Sequence, residues 1–236
     1  MKRIFITLFA ALTLVKTAAA QDITTTGELR DYACTLYGYD IFQKVGSTDF
    51  PLDSAGNIAL EKEIPCPGKT AVELYVGVCT WTVRNFSGAE SEITTNSSEK
   101  VAAKGFADIT PDSSQLSSHS YSRIQIGKKR TIFRKENDKR GVSIRPEVTI
   151  EIKDGLLTIR QSVSEYEIWQ ESEKQVFNKT TKIKATRKPT IQMCYPYGHD
   201  EGREFFKSPY FAWNALVMTR AYEELLVKKL QDALGI

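Results

Sequence analysis

Histidine is nearly missing from this sequence: His119 and His199 are the only two among 236 residues. Neither has a second His, a Cys or a carboxylate one helical turn away, which excludes metal ligation of the helix-borne kind. His199-Asp200-Glu201 places a donor next to two acids, but adjacent residues in a loop do not face one another. Cysteine is sparse as well. Cys34, Cys66, Cys79 and Cys194 are separated by 31, 12 and 114 residues, so there is no Cys-x-x-Cys pair and no compact zinc or thiol-redox motif. Gly-x-Ser-x-Gly, the phosphate-binding loop and the dinucleotide fingerprint are all absent. No catalytic residue, metal or cofactor is expected from these absences, and the protein reads as non-enzymatic. A hydrolase remains the rival within enzymes, because an Asp/Glu pair assembled across a fold leaves no local trace.

An excess of one charge is also lacking. Lys and Arg total 32 against 29 acids, and Lys2, Arg3 and Lys16 fall in the first 20 residues, where there is no acid; from residue 21 onward the balance is 29 to 29. A neutral chain offers phosphates no general footprint, so nucleic acid is not an expected partner. Two local basic clusters, Arg123 with Lys128-Lys129-Arg130 and Arg134, and Lys182, Lys184, Arg187 and Lys188, read as solvated faces. Long apolar runs are missing too: Ile4–Val15 covers 12 positions, short of the roughly 20 that a transmembrane helix needs. Preceded by Met1-Lys2-Arg3 and followed by Ala18-Ala19-Ala20, that run reads as a secretory signal over residues 1–20. The expectation is an exported protein of the periplasm or cell envelope with no transmembrane span after cleavage. In that oxidising compartment the four cysteines allow three pairings, among which sequence does not choose, and Cys79 reads equally well as a buried free thiol.

What is present is ordinary globular text, 41% hydrophobic and 26% charged. Residues 21–55 are polar and mixed and read as an N-terminal extension, with an edge strand or small helix over Tyr32–Phe42. Ile58, Leu60 and Ile64 share parity in a strand that Pro65-Cys66-Pro67-Gly68 stops. Val72, Val76, Cys79, Val83 and Phe86 then recur at helical spacing and predict a helix over 70–86 with that stripe toward the core. Extended segments follow over 93–95, 100–109, 121–126 and 131–134. Val148, Ile150 and Ile152 alternate with polar residues, Asp154-Gly155 intervenes, and Leu157 and Ile159 resume the alternation, which is the signature of a two-residue hairpin. One apolar and one polar face imply an antiparallel sheet covered on one side. Another strand or an excursion is expected over 176–185. Ser208, Pro209 and Gly235 bound a last helix whose stripe is Phe211, Ala215, Met218, Tyr222 and Leu225, widened by Leu216 and Leu226.

The series Glu61-Lys62-Glu63-Ile64-Pro65-Cys66-Pro67-Gly68, Glu73-Leu74-Tyr75 with Trp81, Val101-Ala102-Ala103-Lys104-Gly105 and the Asp154-Gly155 hairpin resembles a family of exported proteins of undetermined function from Gram-negative gut bacteria. That resemblance implies an α+β fold similar to the TATA-box-binding protein, a curved antiparallel sheet with two helices on one face in the order strand, helix, strands, helix. It covers about residues 57–235, within a domain taken as 56–236. The family supplies no catalytic residues to carry over.

The function expected is therefore a non-enzymatic binding or interaction module of the cell envelope. Its polar sheet face would be the contact surface, together with Tyr195 and Tyr197 of the Cys194–His199 loop and Trp169. The alternative is a carrier that holds a small apolar ligand between sheet and helices. Its partner would be an envelope protein on the first reading and that ligand on the second.

Overall fold

The structure, a computed structural model, describes residues 26–86, 90–110, 118–126, 130–176, 179–195, 206 and 208–236. The secretory signal expected at residues 1–20 lies outside them. The fold is α+β, with antiparallel sheets and a few helices, as expected.

Two turns distant in sequence meet at its centre. Strand β1 (Ile58–Pro65) lies antiparallel to β8 (Leu156–Val163), with Ile58 opposite Val163 and Pro65 opposite Leu156. β8 continues through the Asp154-Gly155 hairpin to β7 (Glu147–Lys153), β7 pairs β3 (Lys100–Lys104), and β3 pairs the edge strand β2 (Glu92–Ser97). Gly155 sits at φ +70°, a left-handed conformation that glycine alone adopts without a Cβ penalty. Its carbonyl accepts from Cys66 N (2.7 Å) and its own N–H donates to Lys69 O (2.9 Å). Asp154 Oδ1 accepts from Ala71 N at 2.7 Å. The hairpin tip thereby clasps the start of helix α2 (Ala71–Asn85), where Thr70 and Glu73 form a reciprocal capping box that satisfies further end N–H groups.

The sheet bears out the alternation read from the sequence: Val148, Ile150, Ile152, Leu157, Ile159 and Val163 are all buried. A single layer does not contain every strand, however. β6 (Arg130–Ile144) precedes β7 and β9 (Tyr166–Val176) follows β8, and these two pair with each other, Ile144 opposite Tyr166. β10 (Lys179–Arg187) adds to β9, while β4 (Ala107–Asp108) and β5 (Ser118–Ile126) add to β6, making a second antiparallel sheet. The joint has a local cause. From Glu147 back to Ile144 is three residues, whereas from Ser162 on to Tyr166 is four; the extra residue is a bulge that bends the ladder while returning Ile144 and Tyr166 to the buried side. Pro146, with no N–H to give the ladder, sits at the same corner.

A single-turn helix, α3 (Ile191–Cys194), precedes the last helix, α4 (Pro209–Leu234), which has the bounds read from the sequence: Ser208 at the N-cap, Pro209 at its start and Gly235 in the left-handed region at φ +67°. Its predicted stripe is buried except Leu225, which is half-buried. The segment read as an N-terminal extension, residues 21–55, is described from residue 26, and its apolar residues pack on the core. It begins there with a helix, α1 (Thr26–Tyr37), that lies on α4, and Leu29, Ala33, Ile41, Phe42 and Phe50 join the core. Trp213 Nε1 donates to Ile41 O at 2.5 Å, and the Phe50 ring lies 5.7 Å from the Trp213 ring and 5.1 Å from that of Tyr37. The apolar residues of this segment are too irregularly spaced to show a period, but they are large enough to cover a helix.

A correction concerns α2. Its buried residues are Leu74, Val78, Trp81 and Thr82, whereas Val72, Val76 and Val83 are 70%, 59% and 54% exposed. Of the stripe expected in the core, only Phe86, at the C-cap, is buried. At roughly 100° per residue the helix carries two apolar stripes on opposite sides. Periodicity alone cannot rank them, and the bulkier one, with Leu74 and Trp81, faces the sheet.

Candidate functional site

Strand alternation sends every second side chain of the first sheet away from the helices. On that outer face the registers line up three rows across five strands: Glu63, Thr158, Glu151, Lys100 and Ser97; Glu61, Arg160, Thr149, Ala102 and Thr95; Ala59, Ser162, Glu147, Lys104 and Glu92. Short side chains occupy the middle, and longer charged ones surround them.

The charge on this face is largely self-neutralised, with carboxylates in excess. Arg160 bridges Glu61 at 3.0 Å and Glu151 at 2.5 Å, and Lys104 pairs with Glu147 at 2.8 Å. Hydrogen bonds to Glu61 and Glu151 hold the Arg160 guanidinium above its ordinary pKa, and Glu147 does the same for Lys104. Glu63, Glu92 and Lys100 remain outside these pairs, and Lys153, of the same parity at the end of β7, adds a further cation. Such a nearly neutral face gives a phosphate backbone no net cationic attraction and suits neutral polar or basic groups.

The aromatic candidates lie elsewhere. Trp169, on β9, is half-buried and lies over Gly141 of β6: a Cβ added there would meet the indole at 2.2 Å. Its ring thus covers a glycine on a neighbouring strand, a packing role. Tyr195 is half-buried against the core. Tyr197 and His199 lie outside the described residues, as do Lys128 and Lys129 of the first basic cluster. In the second cluster, Lys182 meets Glu173 at 3.5 Å and Lys188 meets Glu167 at 3.1 Å, so these cations face acids on their own sheet.

All four cysteines are free thiols. Cys66 and Cys194 are buried in the core, and Cys66 Sγ donates a hydrogen bond to Ile64 O at 3.2 Å. Burial raises both thiols, Cys194 to about 12, so neither is a ready nucleophile. Cys79 is half-exposed, and its Sγ donates to Asn96 Oδ1 at 3.3 Å, an oxygen that also accepts from Tyr75 Oη at 2.9 Å.

One functional-looking group escapes the sequence analysis. Glu223 of α4 is 1% exposed, and burial raises its carboxyl to about 8 against the opposing pull of Arg220, whose Nη1 lies 3.3 Å from Oε2. Glu223 Oε1 has no hydrogen-bond partner, nor has Gln161 Oε1, although Gln161 Nε2 donates to the Glu223 main-chain oxygen at 2.8 Å. Arg220 also donates to Ala59 O at 2.8 Å and to Pro51 O, tying β1 and the N-terminal segment to the same spot. The available signal is positional, since Glu223 shares a helix face with Thr219 and Leu226. Perturbed carboxyls often mark active sites, but this one is enclosed by α4, β8 and residues 50–59 and does not reach the open sheet face.

Among the described residues no group of three His, Cys, Asp or Glu is placed to hold a metal ion, and no helix is long and apolar enough to cross a membrane. No family model matches the chain, and no curated protein does. Among solved structures it is similar to a DUF4468 family protein from Bacteroides ovatus, at 13% identity and TM-score 0.40 over 84% of this chain and 95% of that one. It is likewise similar to a TBP-like protein from Parabacteroides distasonis, at 14% identity and TM-score 0.40 over 79% of this chain and 97% of that one.

Proposed function

We propose that the protein is an exported, non-enzymatic binding module of the cell envelope and that the outer face of its first sheet is the contact surface. One observation carries this reading: a five-stranded sheet whose helices cover one side and whose other side presents short polar side chains ringed by carboxylates. Its two central strand pairs are buried on the helix side and hydrophilic on the outer side. The partner that fits is a protein surface with neutral polar or basic groups; with its cations matched by carboxylates, this face offers nucleic acid and anionic headgroups no net positive charge.

Photo-crosslinking tests the reading. A photoreactive amino acid placed at Thr149 or Ala102, in cells that make and export the protein, is expected to yield a discrete adduct. The same amino acid at Glu28 or Lys228, on the helical side, is expected to yield none. Adducts from the helical positions alone, or equal labelling at all four, would exclude the sheet face as the contact.

A further inference from the structure

The outward side of α2 is apolar, and among the described residues its one side-chain hydrogen bond to another element lies at its edge, where Cys79 donates to Asn96. Val72, Val76 and Val83 are more than half exposed, and Cys79 lies half-exposed between them. At roughly 100° per residue the four positions fall within about 60° of one another, so they form one stripe along the helix. Exposed apolar side chains scattered singly are ordinary, whereas these are aligned as one contiguous stripe along a helix.

Two features indicate which occupant fits. The first is symmetry of spacing. The intervals from Val72 to Val76, to Cys79 and to Val83 are four, three and four, a series that reads the same in either direction. A second α2 laid antiparallel about a two-fold axis would therefore set Val72 against Val83 of the other copy and Val76 against its Cys79, each contact occurring twice. The second feature is charge. Glu73 near the start of α2 and Arg84 near its end lie on the same flank of the stripe, about 20° apart around the axis. In an antiparallel pair like flanks face each other, which brings Glu73 of each copy to Arg84 of the other. Glu73 uses Oε2 to cap its own helix, and Arg84 makes no ion pair among the described residues.

We infer that this stripe is a self-association surface through which two copies of the chain pair with their α2 helices antiparallel. The isologous arrangement is that of a closed two-fold dimer. Because α2 lies on the opposite side of the first sheet from its open face, the pairing leaves both open faces free and makes the assembly bivalent. The contact is small. A 15-residue helix is about 22 Å long and 10 Å across, well under the roughly 800 Å² per partner of a standard interface. The dimer is accordingly weak and dependent on concentration.

Sedimentation of the purified protein from about 1 µM to about 1 mM decides the matter, a range chosen for an interface below standard size. The expected result is a mass rising toward twice that of the monomer, with Val76→Lys raising the dissociation constant at least tenfold. Arg84→Glu and Glu73→Lys each place like charges opposite one another and weaken self-association, whereas an equal mixture of the two variants restores two attractive pairs and dimerises as well as the parent. Melting curves of each variant separate loss of pairing from loss of fold, which matters for Glu73→Lys because it removes a cap. A monomer throughout that range overturns the inference. So does a dimer that well-folded Val76→Lys leaves intact, or a charge-swapped mixture that pairs no better than its components.

Discussion

Helix α4 is buried around most of its circumference, from Trp213 and Val217 on one side to Ala215, Tyr222 and Leu226 on the other, whereas α2 buries Leu74, Val78 and Trp81 and leaves Val72, Val76 and Val83 in solvent. Both helices begin at a recognisable cap and both are apolar on more than one side. The difference lies in what covers them. Sheet and α2 lie under α4 while α1 and the Ile41–Pro51 segment lie over it, and nothing among the described residues lies over α2. A helix apolar all round belongs inside a layered structure, and here a segment of unremarkable sequence supplies the extra layer for one helix alone.

Removing that cover should have the largest effect. Trp213→Ala deletes a side chain 1% exposed, its hydrogen bond to Ile41 O and its contact with Phe50, and should cost about 3–5 kcal/mol in denaturant unfolding, as large-to-small changes in packed cores do. If the cost proves below about 1 kcal/mol, the N-terminal segment is not a structural layer of the core.

Within α2 the two stripes give a paired comparison. Leu74→Ala, on the sheet side, should cost about 2–5 kcal/mol. Val76→Ala, on the exposed side, should stay within about 0.5 kcal/mol in dilute solution, helped by the better helix propensity of alanine. Equal costs at the two positions would reverse the assignment of buried and exposed faces.

The smallest effect concerns the polar fault inside the α4 interface. The folded-state carboxyl of Glu223 titrates near 8, raised by burial, whereas an unfolded chain holds it near the ordinary value of about 4.3. The folded state therefore keeps a proton that the unfolded state loses between those values. Stability from this group falls as pH rises through that window and levels off above about 8. Glu223→Gln, which cannot ionise, should flatten that part of the profile and gain about 1–3 kcal/mol at pH 9, the usual penalty of a buried polar group without a partner. Urea melts of parent and variant at pH 5, 7 and 9 measure it. A parent whose stability rises over the same range would contradict the raised carboxyl.

The α+β class, the hairpin at Asp154-Gly155, the β1 strand with its Pro-Gly stop and both ends of α4 were legible because each rests on neighbours in sequence: parity, turn residues or caps. The open sheet face was legible in part. Alternation of Thr149, Glu151 and Lys153 with Val148, Ile150 and Ile152 shows that one face is polar, but only the registers reveal that Arg160 stands between Glu61 and Glu151. The candidate aromatic residues mark the limit of composition as a guide, since Trp169 and Tyr195 are occupied in packing. Glu223 was passed over because a charged residue on a helix is ordinarily solvated, and nothing nearby in the chain announces that β8 and residues 50–59 will enclose it.

What the amino-acid order decided alone was where strands and helices start and stop and which side of the central hairpin is greasy, because backbone conformation and period-two patterning act over a few residues. Tertiary structure alone decided which side of α2 is buried, that residues 26–57 complete the core, and that the long hairpin bends into a second sheet at Pro146 and Tyr166. Burial depends on groups remote in the chain that arrive at the same place, and local pattern carries no record of that arrival.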